Sequence, residues 1–167
     1  AGSFAVADSD GNLGWSGVGQ YQDLVNPAAM LRLMGAIANK GVGVTPRLLL
    51  KETVESGRTV SVPRVESQRL WKEETCEKLV QLMRNTVEVE YGAEKFGDLN
   101  VCAKSGTAEV GEGKRPHAWF VGFVADETCP LAFSVIVENG GGGSAVAGGV
   151  VAKLLPSAAE LLRVTEE

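Results

Sequence analysis

The sequence predicts an α+β domain in which a three-stranded antiparallel meander is covered by helices. Three observations carry this. Two helical stretches with apolar stripes come first. Three strand-like segments follow between residues 99 and 139. The links between those strands are short, whereas a parallel crossover needs a dozen residues or more, so the neighbours run antiparallel. The 167 residues, 44% of them hydrophobic, suffice for one core and exclude a disordered chain. A formal charge of −5, with no basic cluster longer than a pair, excludes a nucleic-acid binder, which needs a positive stripe. No apolar run approaches the roughly 18–20 residues that span a bilayer. Ala1-Gly2-Ser3-Phe4 has no basic region of the signal-peptide kind, so no anchor or export signal is read in the chain.

Residues 1–25 are small, polar and glycine-rich, and are predicted to be an irregular lead-in, as if the chain joins a fold partway through. Residues 26–98 form the helical part. Asn26-Pro27 opens the first helix, with Asn26 accepting from the free N–H groups of its first turn and Pro27 at the first helical position. Met30, Leu33, Met34 and Ile37 form its apolar stripe, and Gly41 or Gly43 ends it. Thr45-Pro46 and Leu48-Leu49-Leu50 suggest a short extended piece. Residues 51–66, with Gly57 and Pro63, read as a loop or weak hairpin. A second helix is predicted from about Gln68 to Val89, burying Leu79, Leu82, Met83 and Val87, with Glu73, Glu74, Glu77, Lys78 and Arg84 as its solvated face.

Residues 99–139 form the sheet: Leu99–Ala108, His117–Ala125 and Leu131–Glu138. Leu99, Val101 and Ala103 share a face. The middle strand is apolar throughout and so is covered on both faces. Residues 140–167 are the C-terminal helix, read from Ser144 to Leu162 with a break at Pro156.

Cys76, Cys102 and Cys129 stand 26 and 27 residues apart, which suits neither a zinc ribbon nor a CxxC redox site. They read as buried thiols, and no metal or cofactor is implied. Gly140-x-Gly142-x-x-Ala145 fits a dinucleotide fingerprint by pattern only. It follows an antiparallel strand, and too little chain remains for a returning parallel strand. Lys95-Phe96-Gly97 reads as a turn without chemistry.

Lys104-Ser105-Gly106-Thr107 is different, because it lies inside a strand. A strand glycine packs nothing, and one reason for it is another backbone coming close. A lysine, two hydroxyls and a bare glycine make an edge suited to an extended peptide with a carboxylate.

Lys104-Ser105-Gly106-Thr107-Ala108-Glu109, then His117-Ala118-Trp119-Phe120-Val121-Gly122-Phe123, then Leu131–Asn139 and the glycine run resemble the C-terminal part of a penicillin-binding protein transpeptidase domain. Gly19-Gln20, Asn26-Pro27-Ala28-Ala29-Met30, Ala36-Ile37-Ala38-Asn39 and Val44-Thr45-Pro46 match in order and spacing. The resemblance is closest to the class B enzymes of the penicillin-binding protein A type.

That family uses S-x-x-K, S-x-N and K-[ST]-G, the last matched by Lys104-Ser105-Gly106. No serine here has a lysine three residues on or an asparagine two on. The resemblance therefore implies the C-terminal portion of a D,D-transpeptidase, lacking the nucleophilic serine and inactive alone because acyl transfer needs that nucleophile. It implies Lys104 as the catalytic cation, assisting proton movement. Ser105 and Thr107 hold the carboxylate of a peptidoglycan stem peptide or β-lactam, the Thr107 N–H is half an oxyanion hole, and Gly106 admits the substrate backbone. Trp119 reads as packing, His117 as a solvent-facing strand-end residue and Glu109 as a rim residue. The parent protein is expected outside the cytoplasmic membrane and attached to it. The expected partners are the ligand, the missing N-terminal part of the domain, and a second copy through an uncovered sheet or helix face. Two other readings stay open: a non-catalytic module that binds cell-wall peptides, and a fragment of a serine β-lactamase or D,D-carboxypeptidase.

Overall fold

The structure, a computed structural model, describes residues 2–5, 8–49, 51–61 and 67–165. Its centre is the predicted meander. Strands β5 (Val101–Ala108), β6 (His117–Val124) and β7 (Ala132–Val137) lie in the order β5-β6-β7, all antiparallel, so β5 is an edge strand. The register pairs Lys104 with Val121 and Gly106 with Trp119.

Side-chain alternation along these strands sends residues to two separate cores. On one face, Val101, Ala103, Ala118, Phe120 and Val124 pack with Ala147, Val151, Leu155 and Ala159 of the C-terminal helix. On the other, Cys102, Val121 and Phe123 pack with Met34 and Ile37 of α2 (Pro27–Ala38) and with Cys76 and Met83 of α3 (Glu73–Thr86). The middle strand is covered on both sides, as its apolar sequence requires.

α2 begins as predicted. Pro27 takes the first turn, and the Asn26 side chain accepts from the Ala28 N–H at 2.8 Å. It ends at Ala38, where Lys40 turns left-handed (φ 51°) and the Gly41 N–H donates to the Ala36 carbonyl at 2.8 Å, closing the last turn.

Four local readings are corrected. First, the 1–25 segment contains a helix, α1 (Asp10–Gly17). Its stripe is too weak to show by periodicity, but the Ser9 side chain caps the Asn12 N–H and Asp10 sits in the first turn. Second, α3 starts at Glu73, not Gln68. Gln68 and Arg69 form a short strand, β4, against β1 (Val42–Gly43), and the Arg69 guanidinium donates to the carbonyls of Lys40 and Trp71. Third, α3 turns Cys76 inward where the predicted stripe had Leu82, which is 64% exposed. The helix then widens into a π-turn over Val87–Tyr91 before Gly92 stops it at φ 83°. Fourth, α4 (Gly148–Thr165) follows a π-turn over Gly143–Ala147 and runs through Pro156 unbroken.

The weak hairpin is present as β2 (Lys51–Thr53) against β3 (Thr59–Ser61). Leu50 and the Pro63 end of that segment lie outside the described residues. Helix Gly143–Leu162 is long and apolar enough to cross a membrane by length and composition, which the sequence reading did not see. Its Ala147, Val151, Leu155 and Ala159 recur every fourth residue, and that face packs on the sheet.

The three cysteines are buried and form no disulfide. Burial pushes the Cys102 thiol up to about 11, with smaller opposing influences from Arg84 and Glu88. Burial also raises the Cys76 thiol. Iodoacetamide at pH 8 is expected to leave all three unlabelled in the native chain and to label all three in urea; rapid native labelling of Cys102 overturns the packing described. An unfolded thiol loses its proton from about pH 9, while folded Cys102 holds its proton to about pH 11. Stability therefore falls as pH rises between those values.

Candidate functional site

In an edge strand, alternate residues point both their N–H and their C=O outward. Along the second half of β5 the outward residues are Ser105 and Thr107, and Glu109 continues the series beyond the strand. Three side chains from separate segments meet them. The Tyr91 hydroxyl accepts from the Ser105 N–H at 2.9 Å and donates to the Ser105 Oγ at 2.9 Å. The Lys104 Nζ donates to the Ser105 carbonyl at 2.8 Å. The Gln20 Nε2 donates to the Thr107 carbonyl at 2.9 Å, while the Gln20 Oε1 accepts from the Glu109 N–H at 3.3 Å. The Thr107 N–H faces the same edge.

The four predicted residues are thus brought together, on two faces. Ser105 and Thr107 share the face of the C-terminal helix. Lys104 leaves from the opposite face, is exposed, and curls back so that its ammonium reaches the edge. The Thr107 Oγ1 accepts from the Gly143 N–H at 3.4 Å. This places it at the start of the helical segment that runs from Gly143, where the unpaired N–H groups carry partial positive charge.

A close backbone approach at Gly106 is present, and the chain itself supplies it. A Cβ on Gly143 would lie 2.3 Å from the Gly106 carbonyl oxygen and 2.7 Å from that of Trp119. On the other face, a Cβ on Gly106 would meet the Trp119 Cβ at 3.2 Å. Trp119 packs against the α2–α3 core, in line with its structural reading. The His117 Nδ1 accepts from the Asn139 N–H at 2.9 Å, so His117 ties β6 to the end of β7 and does not contact the motif. Glu109 contributes its backbone to the edge and exposes its side chain.

The site is an open edge, not a hollow. Val110, Lys114, Arg115, His117 and Asn139 line a cleft of about 370 Å³ beyond the strand end. A second cleft of about 410 Å³ lies between Arg84 and Val101. Residues 104–107 line neither. Among the described residues no cluster of His, Cys, Asp or Glu could hold a metal ion.

Gln20 and Tyr91 are what the motif did not reveal. Gln20 had a place in the family resemblance but no role. Tyr91 lies 14 residues before Ser105, at the close of the π-turn, where helical periodicity no longer reports which way a side chain points.

The family model for the penicillin-binding protein transpeptidase domain matches residues 2–156. The chain belongs to the penicillin-binding protein transpeptidase family. Its relatives include the peptidoglycan D,D-transpeptidase PbpA of Mycobacterium tuberculosis, 29% identical over 145 residues, covering 84% of this chain and 29% of that protein. Another is MrdA of Salmonella typhimurium, 27% identical over 161 residues, covering 83% and 26%. Among solved structures, the ceftriaxone acyl-enzyme complex of penicillin-binding protein A from M. tuberculosis superimposes with a TM-score of 0.78 at 27% identity, over 87% of this chain and 35% of that one. Pseudomonas aeruginosa PBP2 in complex with WCK 5153 gives 0.66 at 30% identity, over 84% and 32%. The chain spans under a third of the length of those curated relatives.

Proposed function

We propose that this chain supplies the ligand-holding strand of a D,D-transpeptidase that cross-links peptidoglycan and is acylated by β-lactams. The observation that carries the reading is the β5 edge. There Lys104 brings a cation, the Ser105 and Thr107 hydroxyls lie on one face, and the Thr107 N–H looks outward. A carboxylate fits the two hydroxyls and the ammonium, and a carbonyl oxygen developing charge fits the Thr107 N–H. The reacting serine comes from polypeptide outside this sequence, because no serine here precedes a lysine by three residues. The chain alone therefore holds a ligand without forming an acyl-enzyme.

On this reading the ligand is the end of a peptidoglycan stem peptide or a β-lactam, met outside the cytoplasmic membrane, and Lys104 assists proton transfer at the serine. The rest of the transpeptidase domain is the principal partner. A second copy would associate through an exposed sheet or helix face, and α1 leaves the Leu13 and Trp15 side chains exposed.

The test is an NMR titration of the chain with benzylpenicillin, paired with intact-mass measurement. The expected result is saturable shifts of the Ser105, Gly106 and Thr107 amides with no mass increase. A covalent penicilloyl adduct overturns the missing-nucleophile reading. Undisturbed amides at 104–107 overturn the ledge.

A further inference from the structure

We infer that Gln20 is a specificity-determining residue of the ledge: its carboxamide holds the Thr107 carbonyl that a backbone N–H of the ligand must reach, and a pairing ligand displaces it. This rests on the reading of residues 104–107 as a peptide-holding edge. A primary carboxamide carries one donor and one acceptor side by side, the same pair that a residue of an added strand presents. Gln20 uses both on β5, donating to the Thr107 carbonyl and accepting from the Glu109 N–H. Those are the next two outward groups after the Thr107 N–H. A ligand extended along the edge past Thr107 meets Gln20 already in its place.

The local backbone is built to aim this side chain while leaving it free to turn. Gln20 lies between Gly19 (φ 79°) and Tyr21 (φ 64°). The left-handed region disfavours a bulky residue such as tyrosine, so the turn is held by its surroundings. The main chain supplies the hold. The Gln20 N–H donates to the Trp15 carbonyl at 3.0 Å, and the Gln20 carbonyl accepts from the Asp23 N–H at 3.4 Å. The Ser16 hydroxyl donates to Asp23, and Ser3 and Leu24 exchange two backbone hydrogen bonds. None of these involves the carboxamide, so rotating it off β5 leaves the turn intact.

The consequence is selectivity. A ligand with a backbone N–H that can donate to the Thr107 carbonyl takes that acceptor from Gln20. A ligand with that nitrogen methylated cannot donate, and Gln20 stays. Because the ligand must first break the bond from Gln20 to the Thr107 carbonyl, Gln20 offsets part of the affinity of the pairing ligand and none of the other's.

The test is an NMR titration of the chain with Nα-acetyl-D-alanyl-D-alanine and with its analogue N-methylated at the first alanine, in wild type and Gln20→Ala. With the parent peptide, the Gln20 side-chain NH2 signals are expected to move to the position of an unbonded amide at the same Kd as the Ser105 and Thr107 amide shifts. Gln20→Ala is expected to bind the parent peptide about fivefold tighter, the size of one net hydrogen bond, and the methylated analogue unchanged. A residue that merely braces the turn gives the opposite sign, since loosening the turn weakens binding of both. Gln20 NH2 signals that stay fixed in wild type while the 105–107 amides saturate overturn the inference whether or not the variant folds, and leave the ledge standing. Amides at 105–107 that respond to neither peptide overturn the ledge and this inference together.

Discussion

Replacing Gly143 with alanine is expected to cost about 3 kcal/mol, at the upper end for an overpacked site. The new methyl group would sit 2.3 Å from one backbone oxygen and 2.7 Å from another, on two hydrogen-bonded strands. Neither oxygen belongs to a side chain that can swing away. Relief requires lifting the start of the C-terminal helical segment off the sheet. That movement also draws the Gly143 N–H away from the Thr107 hydroxyl. Urea denaturation gives the stability loss. An amide spectrum should show its largest changes at Gly106, Thr107 and Trp119. Stability within about 0.5 kcal/mol of the parent overturns the close approach.

Phe120→Ala is expected to cost about 3–5 kcal/mol, the range for emptying a fully buried aromatic site. Phe120 is completely buried on the middle strand, with its ring 5.2 Å from that of Tyr91, 6.2 Å from Phe96 and 6.0 Å from Phe133. The edge-on contact with Tyr91 connects this core to the ledge, because the same tyrosine holds both the N–H and the hydroxyl of Ser105. Calorimetry should show a melting point lower by roughly 6–20 °C for a domain of this size. A Phe120→Leu variant, which refills most of the volume, should recover more than half of the loss. Equal losses for both variants contradict the cavity account.

The sheet and α2 were legible because their signals are local and redundant. The strands are nearly unbroken apolar runs joined by short links, and Asn26-Pro27 is a cap and a first turn in two residues. α1 was missed because its only strong mark is Ser9 as a cap, with no apolar stripe behind it. The start of α3 was misread because Gln68-Arg69 is drawn into a strand by β1, which is distant in sequence. Leu82 was placed inside because helical spacing alone does not say which of two adjacent stripes faces the sheet; Cys76 and Met83 decide that through Cys102. The four motif residues stood out in the sequence because a glycine and two hydroxyls inside a strand need a reason. Gln20 and Tyr91 were not, since their roles depend on contacts across 87 and 14 residues of chain.

The three side chains laid along β5 also bear on how the chain behaves in concentrated solution. A bare sheet margin is a template on which a neighbouring molecule's strand can zip, the first step toward fibrils. Here a phenol, an ammonium and a carboxamide already take up the outward groups of Ser105, the carbonyl of Thr107 and the amide of Glu109. An intruding strand must remove all three, whereas a short ligand needs only the stretch it covers. The margin is in this way resistant to runaway growth.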